Sequence, residues 1–220
     1  MNDSRAVHGG QPAIGVLISG RGSNLQALID AIDEHRLAAR VAVVISNRAD
    51  AAGLERARAA GIETLVVDHR AFADRDAFDR TLAAELGARH VSLVCLAGFM
   101  RLVGAPLLEA FPNGILNVHP SLLPAFRGVD AQRQALEYGV KVAGATVHLV
   151  TAELDGGPIV LQAAVPVRDD DTPDTLAARI LIEEHRIYPE AVRIVLDGGW
   201  RVEGRRFLRT RDYQTPGINR

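Results

Sequence analysis

The feature that most constrains this sequence is a series of short apolar runs that alternate with segments of helical periodicity. Three of the runs are AIGVLIS at 13–19, VAVVIS at 41–46 and VSLVCLAG at 91–98, and none alternates regularly with polar residues. Strands that are apolar throughout are typical of a parallel sheet covered on both faces, because neither face meets water. The sequence therefore predicts an α/β fold with a mostly parallel sheet and helices on both faces.

The same pattern predicts the remaining elements. Helices are expected at 24–35, 50–60, 74–87, 104–110, 129–138 and 172–196, and two further parallel strands at 63–68 and 114–119. Strands at 143–150 and 157–167 follow each other with little between them, which predicts antiparallel strands added late in the chain. Pro189 is expected to interrupt or kink the last helix, and WRVEGRRFLR at 200–209 to form a terminal hairpin.

Composition limits the domain organisation and the class of partner. We expect one domain over 13–209, a flexible leader at 1–12 and a polar C-terminal tail at 210–220. The formal net charge of −2 does not favour nucleic acid as a partner, and no apolar run has the length of a signal peptide or a membrane span. The single cysteine, Cys95, cannot form an internal disulfide. These features predict a cytoplasmic protein. We also expect a monomer or homodimer that acts on small molecules, although composition does not determine either point.

A glycine-rich loop, SGRGSN at 19–24, lies between the first predicted strand and helix. Ser23 or Asn24 could cap the helix, and free N–H groups at its amino end would attract an anion. A dinucleotide fingerprint would need a third glycine where Leu25 stands, and no Lys-Ser/Thr pair indicates a nucleoside triphosphate. The loop therefore favours a phosphate monoester, with a simple tight turn as the alternative.

Three polar residues are candidates for catalysis. Asn117 and His119 lie two apart on a predicted strand, so their side chains point to the same side. An amide N–H can stabilise an oxyanion, and a histidine can exchange a proton near neutral pH. Asp155, in the turn-rich ELDGGPI, would favour the protonated histidine if it lies nearby. The alternatives are a structural strand-end pair and a simple turn around Asp155.

Five segments in a fixed order identify a family. They are VLISGRGSNLQALI, LAGFMRLV, LNVHPSLLP, GATVHLV and ELDGGPI. Together they resemble the phosphoribosylglycinamide formyltransferase family, folate-dependent enzymes of purine biosynthesis, over about residues 13–198. The resemblance implies a Rossmann-like formyltransferase fold. It also implies transfer of a formyl group from the co-substrate 10-formyltetrahydrofolate to the amine of glycinamide ribonucleotide.

The resemblance further implies roles for individual residues. The resemblance implies that the family's catalytic residues correspond to Asn117, His119 and Asp155. Residues that it assigns to the ribonucleotide are Gly22, Ser23, Asn24, Leu181, Ile182, Glu183 and Glu184. Residues that it assigns to the folate are Arg75, Met100, Arg101, Leu102, Val103, Asn117, Thr151, Ala152, Glu153, Leu154 and Asp155. His148 and His185 are expected to be structural or to lie behind the site, and no ligand pattern predicts a metal.

One departure from the family pattern leaves alternatives open. The pair Arg127-Gly128 resembles the sequence found in the wider formyltransferase superfamily, which includes methionyl-tRNA formyltransferase. The conformation of the surrounding loop therefore stays open. That enzyme would need a basic C-terminal domain, whereas formyltetrahydrofolate deformylase usually has an N-terminal regulatory domain. A non-catalytic ligand-binding module of the same fold would require that Asn117, His119 and Asp155 occur together by accident.

Overall fold

The structure is a computed structural model that describes residues 10–210, so most of the expected leader and tail lies outside the described residues. The strands are β1 (Ala13–Ile18), β2 (Arg40–Ser46), β3 (Thr64–Val66), β4 (Leu93–Leu96), β5 (Ile115–His119), β6 (Val142–Leu149), β7 (Ile159–Pro166), β8 (Trp200–Glu203) and β9 (Arg206–Arg209). The helices are α1 (Ser23–Asp33), α2 (Gly53–Ala59), α3 (Arg75–Ala88), α4 (Ala105–Ala110), α5 (Ala131–Tyr138) and α6 (Pro173–Leu196).

All of these strands belong to one sheet with the order β3-β2-β1-β4-β5-β6-β7-β9-β8. The strands from β1 to β5 pair in parallel, whereas β6 pairs antiparallel with both β5 and β7. The terminal hairpin of β8 and β9 extends the sheet, since β9 joins β7 in parallel. The predicted α/β fold, with a mostly parallel sheet and antiparallel strands late in the chain, is confirmed.

Two local expectations need correction. The prediction that Pro189 interrupts the last helix is wrong, because α6 runs without a break from Pro173 to Leu196 with Pro189 buried inside it. Burial of one side of α6 against the sheet compensates for the backbone hydrogen bond that proline cannot donate. A short 3-10 helix at His69–Ala71 was not predicted, and the side chain of Asp68 caps it through the N–H of Arg70.

Two hydrophobic cores cover the two faces of the sheet. One core packs α1, α2 and α6 against the sheet, and the other packs α3 and α4 against the strands from β1 to β5. Helix α6 contacts β5, β6 and β7, and it also packs against α1. Across residues 10–210 the structure has no helix that is both long and apolar enough to cross a membrane.

Tyr188 on α6 links two neighbouring strands from one side of the sheet. Its side chain is fully buried, and its hydroxyl lies 2.9 Å from the carbonyl oxygen of Leu96 in β4 and 3.2 Å from that of Leu116 in β5. A buried hydroxyl needs such acceptors, because an unpaired polar group in the core is costly. Tyr188 therefore sets the position of α6 over β4 and β5.

We predict that Tyr188→Phe lowers the free energy of unfolding by about 1–3 kcal/mol, the typical cost of losing a buried hydrogen bond. Urea unfolding measures the change. Tyr138→Phe is the matched control, because Tyr138 is 80% exposed. Equal unfolding midpoints for the two variants would contradict the prediction.

Candidate active site

Side chains along β5 alternate between the hydrophobic core and the opposite face of the sheet. Leu116 and Val118 belong to the hydrophobic core that contains α6, so Asn117 and His119 point to the opposite face. His119 is 5% exposed and Asn117 is half-buried. Loops rather than a helix cover this part of the face, and the polar side chains there contact other polar groups.

The loop between β6 and β7 brings a carboxylate to this face. In register, β6 ends with Leu149 beside Leu116, three residues before His119. The chain then returns over the face, so that Oδ2 of Asp155 lies 3.5 Å from Nδ1 of His119. Asp155 itself has a φ of 47°, in the left-handed region that aspartate tolerates better than most residues. The structure thus brings together the three residues predicted as a catalytic trio.

Both ring nitrogens of His119 face oxygen acceptors. Nε2 lies 2.9 Å from the carbonyl oxygen of Phe126, and since a carbonyl can only accept, Nε2 carries a proton and donates it. Nδ1 faces the Asp155 carboxylate. Each ring nitrogen therefore has an oxygen acceptor within 3.5 Å.

The electrostatic environment keeps Asp155 ionised. Burial raises the pKa of its carboxyl group, but the imidazole of His148, the N–H of Gly128 and the imidazole of His119 lower it. The pKa lies below its ordinary value as a result. Oδ2 of Asp155 accepts a hydrogen bond of 2.8 Å from the Gly128 N–H, which fixes the carboxylate beside the histidine.

His148 lies behind the trio, which is one of the two roles expected for it. It pairs with Asn117 across β5 and β6, and its Nε2 lies 3.2 Å from Nδ2 of Asn117. The same nitrogen lies 3.6 Å from Oδ1 of Asp155. The clue in the sequence was the spacing of His148 from Asp155 within one strand-loop unit, but only the register of β6 shows that it meets Asn117.

The loop that follows β5 is tied down by buried hydrogen bonds. Oγ1 of Thr146 donates to the carbonyl of Ser121 and accepts from the N–H of Leu123, while the Gln162 side chain donates to the carbonyl of Leu123. These bonds hold the start of the loop against β6 and β7. They place the Phe126 carbonyl over His119.

Two arginines converge on the loop that contains Asp155. Glu153 forms ion pairs with Arg127 from the loop after β5 and, at 2.8 Å, with Arg205 from the turn between β8 and β9. The resemblance left the conformation of the Arg127-Gly128 pair open. In the structure Arg127 and Gly128 both contact the loop 151–155, through Glu153 and Asp155 respectively.

The glycine-rich loop at the amino end of α1 has a different cap from the predicted one. The expectation that Ser23 or Asn24 caps the helix is wrong, because Gly22 occupies the cap position and no side chain caps it. Gly22 has a φ of 72°, and a Cβ there would lie 2.6 Å from the Cα of Gly53. The turn therefore requires glycine, and an uncapped amino end leaves N–H groups for an anion.

Asn24 is turned towards α6 instead of the helix end. Its Nδ2 donates a hydrogen bond of 2.7 Å to Oε2 of Glu184. Burial raises the pKa of the Glu184 carboxyl, and the hydrogen bond from Asn24 offsets this only in part. Oδ1 of Asn24 and Nε2 of His185 are buried and find no hydrogen-bond partner among residues 10–210. Unpaired buried polar atoms are uncommon, which marks this corner as a place for a ligand or water.

A cleft borders the same corner. Its volume is about 330 Å³, and it is lined by Ser23, Gln26, Ala27, Asp30, Glu34, Arg36, Arg56 and His185. Arg56 donates to the carbonyl of Arg21 and so holds the loop from the side of α2.

The α6 residues assigned to the ribonucleotide differ in burial. Glu184 contacts the loop through its hydrogen bond with Asn24, whereas Ile182 is 66% exposed and Leu181 and Glu183 are half-buried.

Apart from Asn117 on β5, the residues assigned to the folate lie in two largely exposed segments and at one helix end. In the segment after β4, Met100 is 70% exposed and Leu102 is 58% exposed. Residues 151–154 are also exposed, and Arg75 is the first residue of α3. Exposed apolar side chains next to a buried polar cluster are typical of a binding surface. Between residues 10 and 210, no group of three or more histidine, cysteine or acidic side chains is placed to hold a metal ion.

Comparisons with known proteins give a consistent result. The family model described as formyl transferase matches residues 13–192. The phosphoribosylglycinamide formyltransferase of Escherichia coli (strain K12) is 49% identical over 183 residues, which is 83% of this chain and 86% of that protein. The trifunctional purine biosynthetic protein adenosine-3 of Homo sapiens is 48% identical over 84% of this chain, which spans only 18% of that longer relative.

Solved structures agree with the sequence relatives. A crystal structure of glycinamide ribonucleotide transformylase 1 from Symbiobacterium toebii has a TM-score of 0.89 and 60% sequence identity, covering 94% of this chain and 98% of that chain. A phosphoribosylglycinamide formyltransferase from Anaplasma phagocytophilum has a TM-score of 0.84 and 41% identity, covering 93% of this chain and 97% of that chain.

We predict that Glu184→Gln stabilises the protein at neutral pH. A raised carboxyl pKa means that the folded state binds the proton more tightly than the unfolded state, so wild-type stability falls as pH rises through the raised pKa. Glutamine still accepts from Asn24 but carries no charge. The gain in unfolding free energy should therefore be present at neutral pH and vanish below the ordinary value of 4.5.

Urea unfolding at neutral pH and at a pH below 4.5 measures how the gain in unfolding free energy depends on pH. Glu183→Gln is the matched control, because the neighbouring Glu183 side chain pairs with Arg186 at the surface and is 29% exposed. A gain for Glu184→Gln that is equal at both pH values, or that Glu183→Gln shares, would refute the prediction.

Proposed function

The chain belongs to the formyl transferase family, and we propose that it transfers the formyl group of 10-formyltetrahydrofolate to the amine of glycinamide ribonucleotide in purine biosynthesis. The observation that carries the proposal is the cluster of Asn117, His119 and Asp155, in which a buried histidine meets a carboxylate at 3.5 Å. We assign the whole reaction to the single domain expected over 13–209.

The ribonucleotide phosphate binds at the amino end of α1 in this proposal. The uncapped N–H groups after Gly22 and the positive end of the helix dipole favour an anion there. The unpaired Oδ1 of Asn24 and the Glu184 carboxylate beside it offer acceptors for the hydroxyl groups of a sugar. This corner is therefore suited to a phosphorylated ribose.

The formyl donor occupies the surface formed by residues 100–103 and 151–155 in this proposal. A flat pterin ring needs apolar walls and a few polar groups from the backbone. Met100, Leu102 and Leu154 supply exposed apolar side chains in the two segments. Asp155 and Asn117 then stand at the end of the surface where the formyl group must lie.

The reaction is a direct transfer. The substrate amine attacks the formyl carbon, and the tetrahedral intermediate places negative charge on the former carbonyl oxygen. The amide of Asn117 and the protonated ring of His119 stabilise this charge. Asp155 stabilises the charged histidine, and it assists movement of a proton from the attacking amine to the leaving folate nitrogen. The transfer requires no covalent enzyme intermediate.

The present position of the His119 ring suggests how it acts. Nε2 donates to the carbonyl of Phe126 in the structure. We propose that the developing oxyanion replaces this carbonyl as the acceptor, while Asp155 stays on the other ring nitrogen. A negatively charged acceptor forms a stronger hydrogen bond than a neutral carbonyl does, so the exchange favours the intermediate.

We predict that formyl transfer is fastest with glycinamide ribonucleotide as the acceptor. The assay compares 10-formyltetrahydrofolate with the ribonucleotide, with water alone and with charged initiator tRNA, and it follows the release of tetrahydrofolate. Transfer to the ribonucleotide alone supports the proposal. Dominant release in water would identify a formyltetrahydrofolate deformylase, and transfer to the tRNA would identify a methionyl-tRNA formyltransferase.

We predict that Asp155→Asn lowers turnover by about 10²- to 10⁴-fold while both substrates still bind. The amide keeps the shape of the side chain but loses the charge that stabilises protonated His119. His119→Ala should be similarly impaired, and the double variant should be far less than multiplicatively worse, because the two groups act as a unit. Steady-state kinetics and calorimetric binding measure both effects.

Asp169→Asn serves as the matched control, since the Asp169 side chain is 93% exposed and forms an ion pair with the solvent-exposed Lys141. Near-normal turnover in Asp155→Asn would contradict the proposed catalytic coupling between Asp155 and His119. Fully multiplicative effects in the double variant would show that His119 and Asp155 act independently.

A further inference from the structure

The segment after β4 is exposed in its middle and buried at both ends. Met100 is 70% exposed and Leu102 is 58% exposed, whereas Phe99 before them is 9% exposed and Gly104 after them is buried. Exposed apolar side chains keep a fixed arrangement only if the backbone is held at the ends. The groups that hold this backbone therefore decide the shape of the surface.

At the first end, a buried hydroxyl binds the backbone. Oγ of Ser19, at the end of β1, accepts a hydrogen bond of 2.8 Å from the N–H of Met100 and donates one of 2.6 Å to Oδ1 of Asn47. The ring of Phe99 also stacks on that of Phe78 in α3, with a centroid separation of 6.5 Å. The start of the segment is thus attached to both β1 and α3.

At the second end, a buried carboxylate binds the backbone. Asp79 on α3 is 1% exposed, and its Oδ2 accepts a hydrogen bond of 2.5 Å from the N–H of Gly104, which lies 25 residues further along the chain. Burial raises the pKa of the Asp79 carboxyl, opposed by the Gly104 N–H and by the charges of Arg75 and Arg101. A carboxylate is seldom buried so completely without a specific partner.

A Cβ at position 104 would displace the Asp79 carboxylate from its present contact. A Cβ there would lie 2.7 Å from Oδ2 of Asp79 and 3.1 Å from Nε of Arg75. Gly104 occupies the cap position of α4 and contributes no side-chain cap of its own. In a capping box the side chain at the third helical position accepts the N–H of the cap residue, whereas here the acceptor comes from a different helix.

We propose that Asp79 is a positioning residue for the formyl donor, which holds residues 100–103 in the conformation that receives the pterin ring by binding the N–H of Gly104. The inference rests on the proposed function, because that function assigns these residues to the donor. Asp79 does not touch the reacting atoms. Asp79 lies one helical turn after Arg75, the first residue of α3, which is also assigned to the donor.

The experiment compares Asp79→Ala, Asp79→Asn and Gly104→Ala with the matched control Asp74→Ala. Asp74 also accepts a backbone N–H on α3, from Ala77 at 2.7 Å, but it lies at the exposed end of the helix. Tetrahydrofolate and glycinamide ribonucleotide are each titrated by calorimetry, and KM is measured for both substrates. Hydrogen exchange reports the protection of the Gly104 N–H directly.

Asp79→Ala should raise the Kd for tetrahydrofolate and the KM for the formyl donor by about 10-fold or more, the scale of a lost hydrogen bond to a charged group. The KM for the ribonucleotide should stay within about twofold, since its site is held by other elements. Asp79→Asn should recover most of the affinity, because the amide oxygen still accepts from Gly104. Gly104→Ala should reproduce the loss with Asp79 intact, and Asp74→Ala should leave both affinities unchanged.

Two binding results would overturn the inference without affecting the proposed function. One is normal tetrahydrofolate binding in both Asp79→Ala and Gly104→Ala, and the other is an equal loss of affinity for both substrates. Unchanged exchange of the Gly104 N–H in Asp79→Ala would also remove its basis. If the wild-type protein binds no tetrahydrofolate, the proposed function fails and the inference fails with it, so the two failures are distinguishable.

Discussion

Antiparallel pairing between β5 and β6 places the polar groups of the site side by side. The register sets Asn117 opposite His148 and His119 opposite Thr146, so four polar side chains share one face of the sheet. The other face of the same two strands belongs to the core under α6. A shift of this register by one residue would exchange the two faces and bury the site under the helix.

The loops over this face depend on the same pairing. Thr146 holds the start of the loop after β5, which carries the Phe126 carbonyl, and the loop after β6 carries Asp155. Each loop then contacts the other, through Gly128 with Asp155 and through ion pairs on Glu153. The histidine is therefore held by its own strand and by two loops that support each other, an arrangement in which groups are positioned before substrate arrives.

Local patterns were enough to predict much of the fold and part of the site. Apolar runs and turn residues predicted the strands, because burial on both faces selects those residues directly. Contacts between distant segments were not predictable in this way. The sequence does not show that Asn24 turns from the cap towards Glu184, that His148 meets Asn117, or that Asp79 binds the N–H of Gly104, since each depends on how separate elements pack.

The hydrogen bond between Asn24 and Glu184 joins residues 160 positions apart, and this separation matters during synthesis. Strands β1 to β5 and their helices can begin to fold while α6 is still inside the ribosome, because the ribosome synthesises the chain from its amino end. The corner at α1 that we propose for the ribonucleotide is incomplete throughout that time. A nascent chain therefore gains no stabilisation from a metabolite at this corner until α6 has emerged, and it must rely on its apolar core alone to avoid aggregation.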